Sequence, residues 1–379
     1  MSQTAKRSIE IDFFRGCALI AIALDHIPAS VLSHAMLHTF AFCDSAEVFV
    51  FVSGYVSASS WLAIAARRGT PAANRRFWRR GREIYAAYLC TAALMLLLGA
   101  AAVRLHVDSP LIHYSGYLRF AAHPFAMLGD IALFRDQPYL ASVLPMYVLL
   151  VLVLPFAMPF ARRSPSLALA ASFAMWFAGC WLARWLPDAT HMGWAFNPFA
   201  WQAMFMLGLM CRLYPMSREF QASKWGTAIT VFALVAVIAF AYLRLFVDVT
   251  PPPGYQKQNL ASLRIVSFGA LAWLAAQAVR AGWIAWLAKR SAALVTVGQQ
   301  ALVCFVGGAV VSITVDTLLR ATHSSAYLPA RLAGDLLAIG ALLALADGAR
   351  RWKGGRRAGS TLARRAAFIV AQDRNRGGK

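Results

Sequence analysis

Hydrophobic positions along the chain fall into long blocks separated by shorter polar and often basic connections. A helix needs roughly 20 mostly apolar residues to cross a hydrocarbon core ~30 Å thick at a rise of ~1.5 Å per residue. Ten blocks meet that length, at about 13–33, 45–66, 84–104, 139–160, 167–186, 199–217, 225–247, 262–281, 294–318 and 331–349. The pattern predicts an all-α, polytopic integral membrane protein with the lipid bilayer as its solvent. Between the third and fourth blocks, residues 105–138 are too long and too mixed for a tight connection, and 119–134 reads as a short helix lying at the interface. No internal repeat stands out. Residues 1–349 therefore read as one transmembrane domain, and 350–379 as a basic cytoplasmic tail lying near anionic lipid headgroups.

Composition supports that class. Of 379 residues, 60% are hydrophobic and only 14% charged, where a soluble chain carries about 25% charged residues. The 37 Lys and Arg against 16 Asp and Glu give a net charge of +21. Binding nucleic acid would require basic residues grouped on a soluble face, so no nucleic-acid partner is expected. About three quarters of the basic residues fall in connections on the side of the N-terminus, which predicts N-in and C-in orientation. Lys6 and Arg7 precede the first block like the start of a signal peptide. That block holds Arg15, Asp25 and His26 and continues past Ser30, which favours an uncleaved first membrane helix. The six cysteines are scattered singly, without metal-ligand or disulfide spacing. His34, His38, His106, His113, His123, His191 and His323 likewise lack a ligand spacing, so no metal is expected.

Against so little charge, ionisable residues inside the blocks are conspicuous. Each costs ~2.5–3.5 kcal/mol at mid-bilayer and must face the protein interior or a polar cavity. Arg15 lies eleven residues before His26, which on a helix places both on one face about 16 Å apart. Asp25 adjoins His26. The pair acts either as packing glue between helices or as chemistry. Asp44 and Glu47, three apart at the start of the second block, share a face. They read either as a capping box or as carboxylates that orient His26 as a general base. Ser53-Gly54 provides a small surface for close approach of a backbone or ligand. Asn197-Pro198 is a helix-start signal, Trp201 fits an aromatic belt, and Gln202 is an amide within a span. Lys257 and Arg264 are cations on the outer side, suited to an anionic or sugar-like ligand or to snorkelling. Soluble-enzyme signatures such as G-x-S-x-G, G-x-G-x-x-G or H-E-x-x-H are absent. The residues alone fit a membrane acyltransferase or a proton-coupled transporter.

Ile11-Asp12-Phe13-Phe14-Arg15-Gly16, then Asp25-His26, then Phe42 to Tyr55 together resemble the OpgC family. These are integral-membrane acyltransferases linked to succinyl decoration of osmoregulated periplasmic glucans, related to the wider transmembrane acyltransferase superfamily. Leu144-Pro145-Met146-Tyr147, Asn197 to Gln202, and Lys257-x-Asn259-Leu260 with Arg264 agree, so the resemblance runs from about 7 to 318. Two features depart from it. Cys43 stands where Ser is usual, and Gly298-Gln299-Gln300-Ala301-Leu302 replaces a basic or polar pair.

The resemblance implies a bacterial inner-membrane enzyme with no permanently bound cofactor. Acyl-CoA, as succinyl-CoA, would be the co-substrate and a periplasmic glucan the acceptor. It implies catalytic roles for His26, Asp44 and Glu47. Arg15, Asp25, Ser53, Tyr147, Asn197, Trp201, Gln202, Lys257 and Arg264 would contact substrate, with Arg15 and the arginine-rich 67–82 segment meeting CoA phosphates.

Overall fold

The computed structural model describes residues 8–107, 110–190, 192–247 and 256–376, as backbone alone at 110, 111, 113 and 355–376. Lys6, Arg7 and His191, named above, lie outside the described residues, as do the side chains of His113 and of the tail beyond 354. Among the described residues every regular element is helical. The main helices are α1 (Ile9–Asp25), α2 (Ser45–Arg68), α3 (Thr70–Arg104), α4 (Val143–Arg163), α5 (Pro165–Phe177), α6 (Pro198–Leu213), α7 (Lys224–Phe246), α8 (Ser262–Arg280), α9 (Ala292–Gln299), α10 (Ala301–Ala321) and α11 (Leu328–Arg376).

Among the described residues, seven stretches are long and apolar enough to cross a membrane: α2, α3, α4 with its preceding turn, α7, α8, α10 and the first part of α11. Four of the predicted blocks differ in instructive ways. The first ends at Asp25 rather than near 33, leaving α1 with 17 residues. Pro28 lacks a backbone donor and disfavours a helical residue before it, so the chain turns there. The sixth ends at Leu213, after 16 residues, two positions before Pro215, for the same reason. The fifth bends by 61° between Phe177 and Gly179. The ninth block is broken at Gln300 into α9 and α10.

The interfacial segment resolves into Pro110–Ser115, Tyr117–Ala122 and Pro124–Ala132. Arg119 holds it together through ion pairs to Asp130 and Asp136. Tyr88 of α3 ties it to the bundle by donating to the Ile131 and Asp136 carbonyls.

Local signals explain the helix ends. Asp44 caps α2 through the Ala46 amide, and Glu47 accepts from the Asp44 amide, completing a capping box. Gly69, at φ +79°, is the sole residue between α2 and α3; only glycine takes that conformation without strain. Asn197 caps α6 through the Phe199 amide, with Pro198 at its first position.

Two close helix crossings organise the centre. A Cβ on Gly54 of α2 would lie 2.0 Å from the Phe205 carbonyl oxygen of α6, and one on Gly208 of α6 would lie 1.9 Å from that of Phe51. Gly16 of α1 and Gly298 of α9 form the same reciprocal contact, at 2.0 and 1.8 Å from the Leu294 and Asp12 carbonyl oxygens. Such small-residue crossings let van der Waals packing hold helices together where the lipid offers no hydrophobic drive. α2 and α6 pack against each other most extensively, as do α1 and α9, and Trp61 and Trp201 are wholly buried around them. By contrast α7 leaves Phe232, Ile238 and Phe246 outward, as a peripheral, lipid-facing helix does.

Because the atoms opposing Gly208 are backbone, they cannot rotate away. Gly208→Val is expected to cost about 3 kcal/mol or more, at the upper end for overpacking. The check is a thermal-unfolding scan in detergent, where Gly340→Val, which meets open space, should shift the midpoint far less.

Candidate active site

Helix α1 has a different cavity at each end. At the end carrying the N-terminus, a cavity of about 180 Å³ is lined by Arg15 of α1, by Ser53, Ser57 and Ser60 of α2, by Arg76 and Arg80 of α3, and by Tyr147 of α4. Arg15 and the arginine-rich segment, matched to one ligand by the sequence reading, thus meet in one place. Arg76, Arg79 and Arg80 share a single carboxylate, Glu83, at 3.3, 3.5 and 3.2 Å. The rim therefore keeps a net positive charge. Tyr147 Oη lies 3.4 Å from Ser53 Oγ, and both residues line this chamber.

At the opposite end, a smaller cavity of about 70 Å³ is lined by Asp25, His26, Asp44, Ser142, Tyr139 and Lys257, among others. His26 follows the last residue of α1, with the Ile22 backbone close enough to its ring to favour the charged form slightly. Tyr139 packs edge-on against the imidazole, with centroids 5.5 Å apart. Burial, aided by the Lys257 cation, pushes the His26 pKa down from 6.5 to about 4, so the ring is neutral near pH 7. Asp25 pairs with His38 at 3.3 Å, a partner that sequence spacing could not single out from the other scattered histidines.

The carboxylates of α2 have different partners from those expected. Arg264 Nε donates to Glu47 Oε1 at 2.6 Å and Arg264 Nη2 to Asp44 Oδ2 at 2.9 Å. Lys257 Nζ reaches the same Asp44 oxygen at 2.8 Å. Glu47 is fully buried and Arg264 almost so, at 0% and 2% side-chain exposure. A carboxylate so enclosed needs a full cation, which an imidazole on a neighbouring turn cannot match. Asp44 and Glu47 thus bond to Arg264 and Lys257 rather than orienting His26. Loss of water would raise the Asp44 pKa, but Lys257 and Arg264 hold it well below the usual carboxylate range. Loss of water around its amine would lower the Lys257 pKa, but Asp44 and Glu47 keep it above its ordinary value.

Asn197, Trp201 and Gln202 are tied into the fold by hydrogen bonds, and Asn197 also lines a third depression. The Asn197 side-chain amide donates to Asn259 Oδ1 and to the Gly179 carbonyl, at 2.9 and 2.8 Å. Trp201 Nε1 donates to the Lys257 carbonyl at 2.9 Å. Together they pin the 256–260 loop so that Lys257 stands over the Phe196 ring, 5.5 Å from its centroid, and enters the cavity. Gln202 exchanges hydrogen bonds with Ser172, at 2.8 and 2.7 Å, joining α6 to α5. Trp201, Gln202 and Arg264 line neither cavity. Two departures also find a structural setting. Cys43 accepts from Ser267 Oγ, and Gln300 accepts from Lys353 Nζ of α11 at 2.5 Å, which brings a cation from another helix to the α9–α10 break.

A bundle of apolar helices with a basic chamber at one end and a histidine chamber at the other defines a multi-pass membrane protein. The family model described as OpgC protein matches residues 7–354, and the chain belongs to that family. Membership implies a transferase, of the OpgC acyltransferase type in glucan modification. The match extends past the motifs quoted above to include the first part of α11. No curated protein and no solved structure matches the chain.

Removing one partner of the enclosed cluster leaves a charge buried without compensation, at a cost of about 3–5 kcal/mol. Arg264→Ala should therefore lower thermal stability sharply, and adding Glu47→Leu and Asp44→Asn should restore most of it. A triple variant no more stable than the single one, by unfolding in detergent, would rule out the charge accounting.

Proposed function

We propose that the protein is a membrane O-acyltransferase that moves an acyl group, succinyl, from cytoplasmic acyl-CoA to hydroxyls of a periplasmic glucan. The observation that carries the reading is the placement of Arg15 and His26 in separate cavities at the two ends of one helix. In this reading all ten segments cross the bacterial inner membrane, N-in and C-in. The short α1 and α6 cross at the centre, residues 1–349 form the catalytic domain, and the basic tail lies at the cytoplasmic surface.

On that orientation the arginine chamber opens to the cytoplasm. Guanidinium groups pair well with phosphate, often bidentately, so Arg15, Arg76 and Arg80 receive the CoA phosphates. The histidine chamber opens to the periplasm. There the neutral His26 accepts the proton of a glucan hydroxyl as its oxygen attacks the thioester carbonyl. The C–O bond forms, the C–S bond breaks, and the proton passes from the imidazolium to the leaving thiolate. The Lys257 ammonium stands where it can balance the negative charge of the tetrahedral intermediate or the free carboxylate of a succinyl group. Just outside, Arg184, Asp188, Trp194 and Gln258 line a further depression beside Asn197. Its mixed aromatic and polar lining suits a sugar ring.

A proton-coupled transporter is the competing reading. A carboxylate relay needs groups free to exchange protons, whereas Asp44 and Glu47 are engaged by Arg264, Lys257 and their own helix end. That engagement favours the transferase.

The test is transfer of label from succinyl-CoA to glucan by the purified protein. His26→Ala should lose about 10²–10⁴-fold of the rate, the usual worth of general acid–base catalysis; undiminished transfer would remove His26 from the chemistry. Solute uptake by proteoliposomes with no acylated product would establish the transporter instead.

The low His26 pKa sets a pH expectation. A base must be unprotonated to act, and one titrating near 4 is still unprotonated at pH 5.5. kcat/KM should thus hold nearly level between pH 7 and 5.5. A fall centred near the ordinary histidine value of about 6.5 would contradict it. At the other end of α1, Arg76→Ala should raise the KM for acyl-CoA about tenfold with kcat little changed, the pattern of a binding contact.

A further inference from the structure

The two cavities share two lining residues, Phe49 of α2 and Phe305 of α10. Their rings stack on each other, with centroids 6.3 Å apart and planes 22° from parallel. Tyr147 braces Phe49 edge-on at 5.6 Å, and its hydroxyl faces Ser53 in the basic chamber. On one side of the pair lie Arg15, Arg76 and Arg80, and on the other His26 and Lys257.

We propose that Phe49 and Phe305 form a septum between the two chambers, and that its width sets which acyl groups reach His26. This rests on the transferase reading for what passes, but not for the barrier itself. The argument is one of sizes. The outer chamber, about 70 Å³, falls far below the roughly 300–1,000 Å³ of ordinary ligand pockets. It holds a short acyl group and a hydroxyl, not a CoA moiety. The CoA body, too large also for the arginine chamber of about 180 Å³, stays at its arginine rim, and only the acyl end enters and passes between the rings. Phenyl rings suit such a slot because rotation about two side-chain bonds opens it without moving a helix, while the closed pair excludes water from the thioester. A short unbranched chain passes; a long or branched one meets the rings. Ser142, Val143 and Tyr139 also line this chamber, and its small volume leaves little room for a chain longer than a few carbons.

Two measurements test the barrier and the selectivity separately. Ser142 lines the outer chamber and is 3% exposed. In Ser142→Cys protein reconstituted in vesicles, a membrane-impermeant thiol reagent added on the arginine side should label the new thiol slowly. With Phe305→Ala added, labelling should rise at least tenfold, each rate corrected for the chain's native cysteines. Ser57→Cys, in the arginine chamber, serves as the access control and should label equally in both backgrounds. Unchanged Ser142→Cys labelling with an intact Ser57→Cys control would overturn the septum. If Phe305→Ala does not yield folded protein, Phe305→Leu and Phe49→Leu carry the same expectation at smaller amplitude.

For selectivity, succinyl-CoA and octanoyl-CoA are compared as donors. Phe305→Ala should raise the octanoyl-to-succinyl ratio of kcat/KM at least tenfold, and Phe305→Trp should lower transfer from both. An unchanged ratio would refute the selectivity role. A wild-type protein that transfers from no acyl-CoA would refute the transferase reading, while the labelling result would still decide the septum.

Discussion

The arrangement of this protein depends on a charge cluster where the starts of α2 and α8 meet. Asp44, Glu47 and Arg264 are enclosed and costly to remove from water, so each is stable there only while the others hold their places, and half-exposed Lys257 closes over Asp44 from outside. That mutual requirement does more than join two helices. Glu47 and Asp44 also close the first turn of α2, so the ion pairs and the helix start fix each other. Lys257 hangs from a loop secured by Asn197 and Trp201 of α6. A cluster of four side chains thereby sets three helices and one wall of the histidine chamber.

The glycine crossings complement it. Charges act at the ends of helices, where polar groups concentrate, whereas Gly16, Gly54, Gly208 and Gly298 act within them, where backbone meets backbone. α1 is held by the second kind of contact along α9, and its cavity-lining residues inherit that rigidity. Arg15 neighbours Gly16 in sequence, so the arginine begins where the crossing is tightest. Preorganisation of this sort serves chemistry that must align a donor and an acceptor arriving from opposite directions.

Much of the fold was legible in the chain, because a run of some 20 apolar residues has few options other than a membrane helix. The all-helical class, the place of seven of the ten predicted spans, the capping role of Asp44 and the close approach at Gly54 followed from local pattern. So did the joining of Arg15 to the arginines near 76–80, through the 3.6-residue period of α1 and the charge bias of its end. Less legible were the breaks at Phe177 and Gln300, which no proline marks, and the one at His26, where the apolar run beyond Pro28 masks a local stop. The partners of Asp44 and Glu47 could not be read either. Arg264 is 217 positions from Glu47, and spacing along a chain says nothing about which distant cation a carboxylate will meet. His38 with Asp25, and Phe49 with Phe305, are contacts of the same long-range kind.

One consequence follows from how short the central helices are. α1, with 17 residues, spans about 25 Å, less than the ~30 Å hydrocarbon core, and polar cavities enter it from both ends. If the proposed septum divides them, the two stacked rings are much of the insulator that remains. A transmembrane voltage falls across the insulating part of its path, so the field concentrates there. On the proposed orientation, an anionic acyl group leaving an inside-negative cell at that point is driven outward by up to about 2.3 kcal/mol per charge per 100 mV, whereas a neutral acetyl group gains nothing. The membrane potential would thus act as a second selector beside the rings, favouring dicarboxylic over monocarboxylic acyl groups.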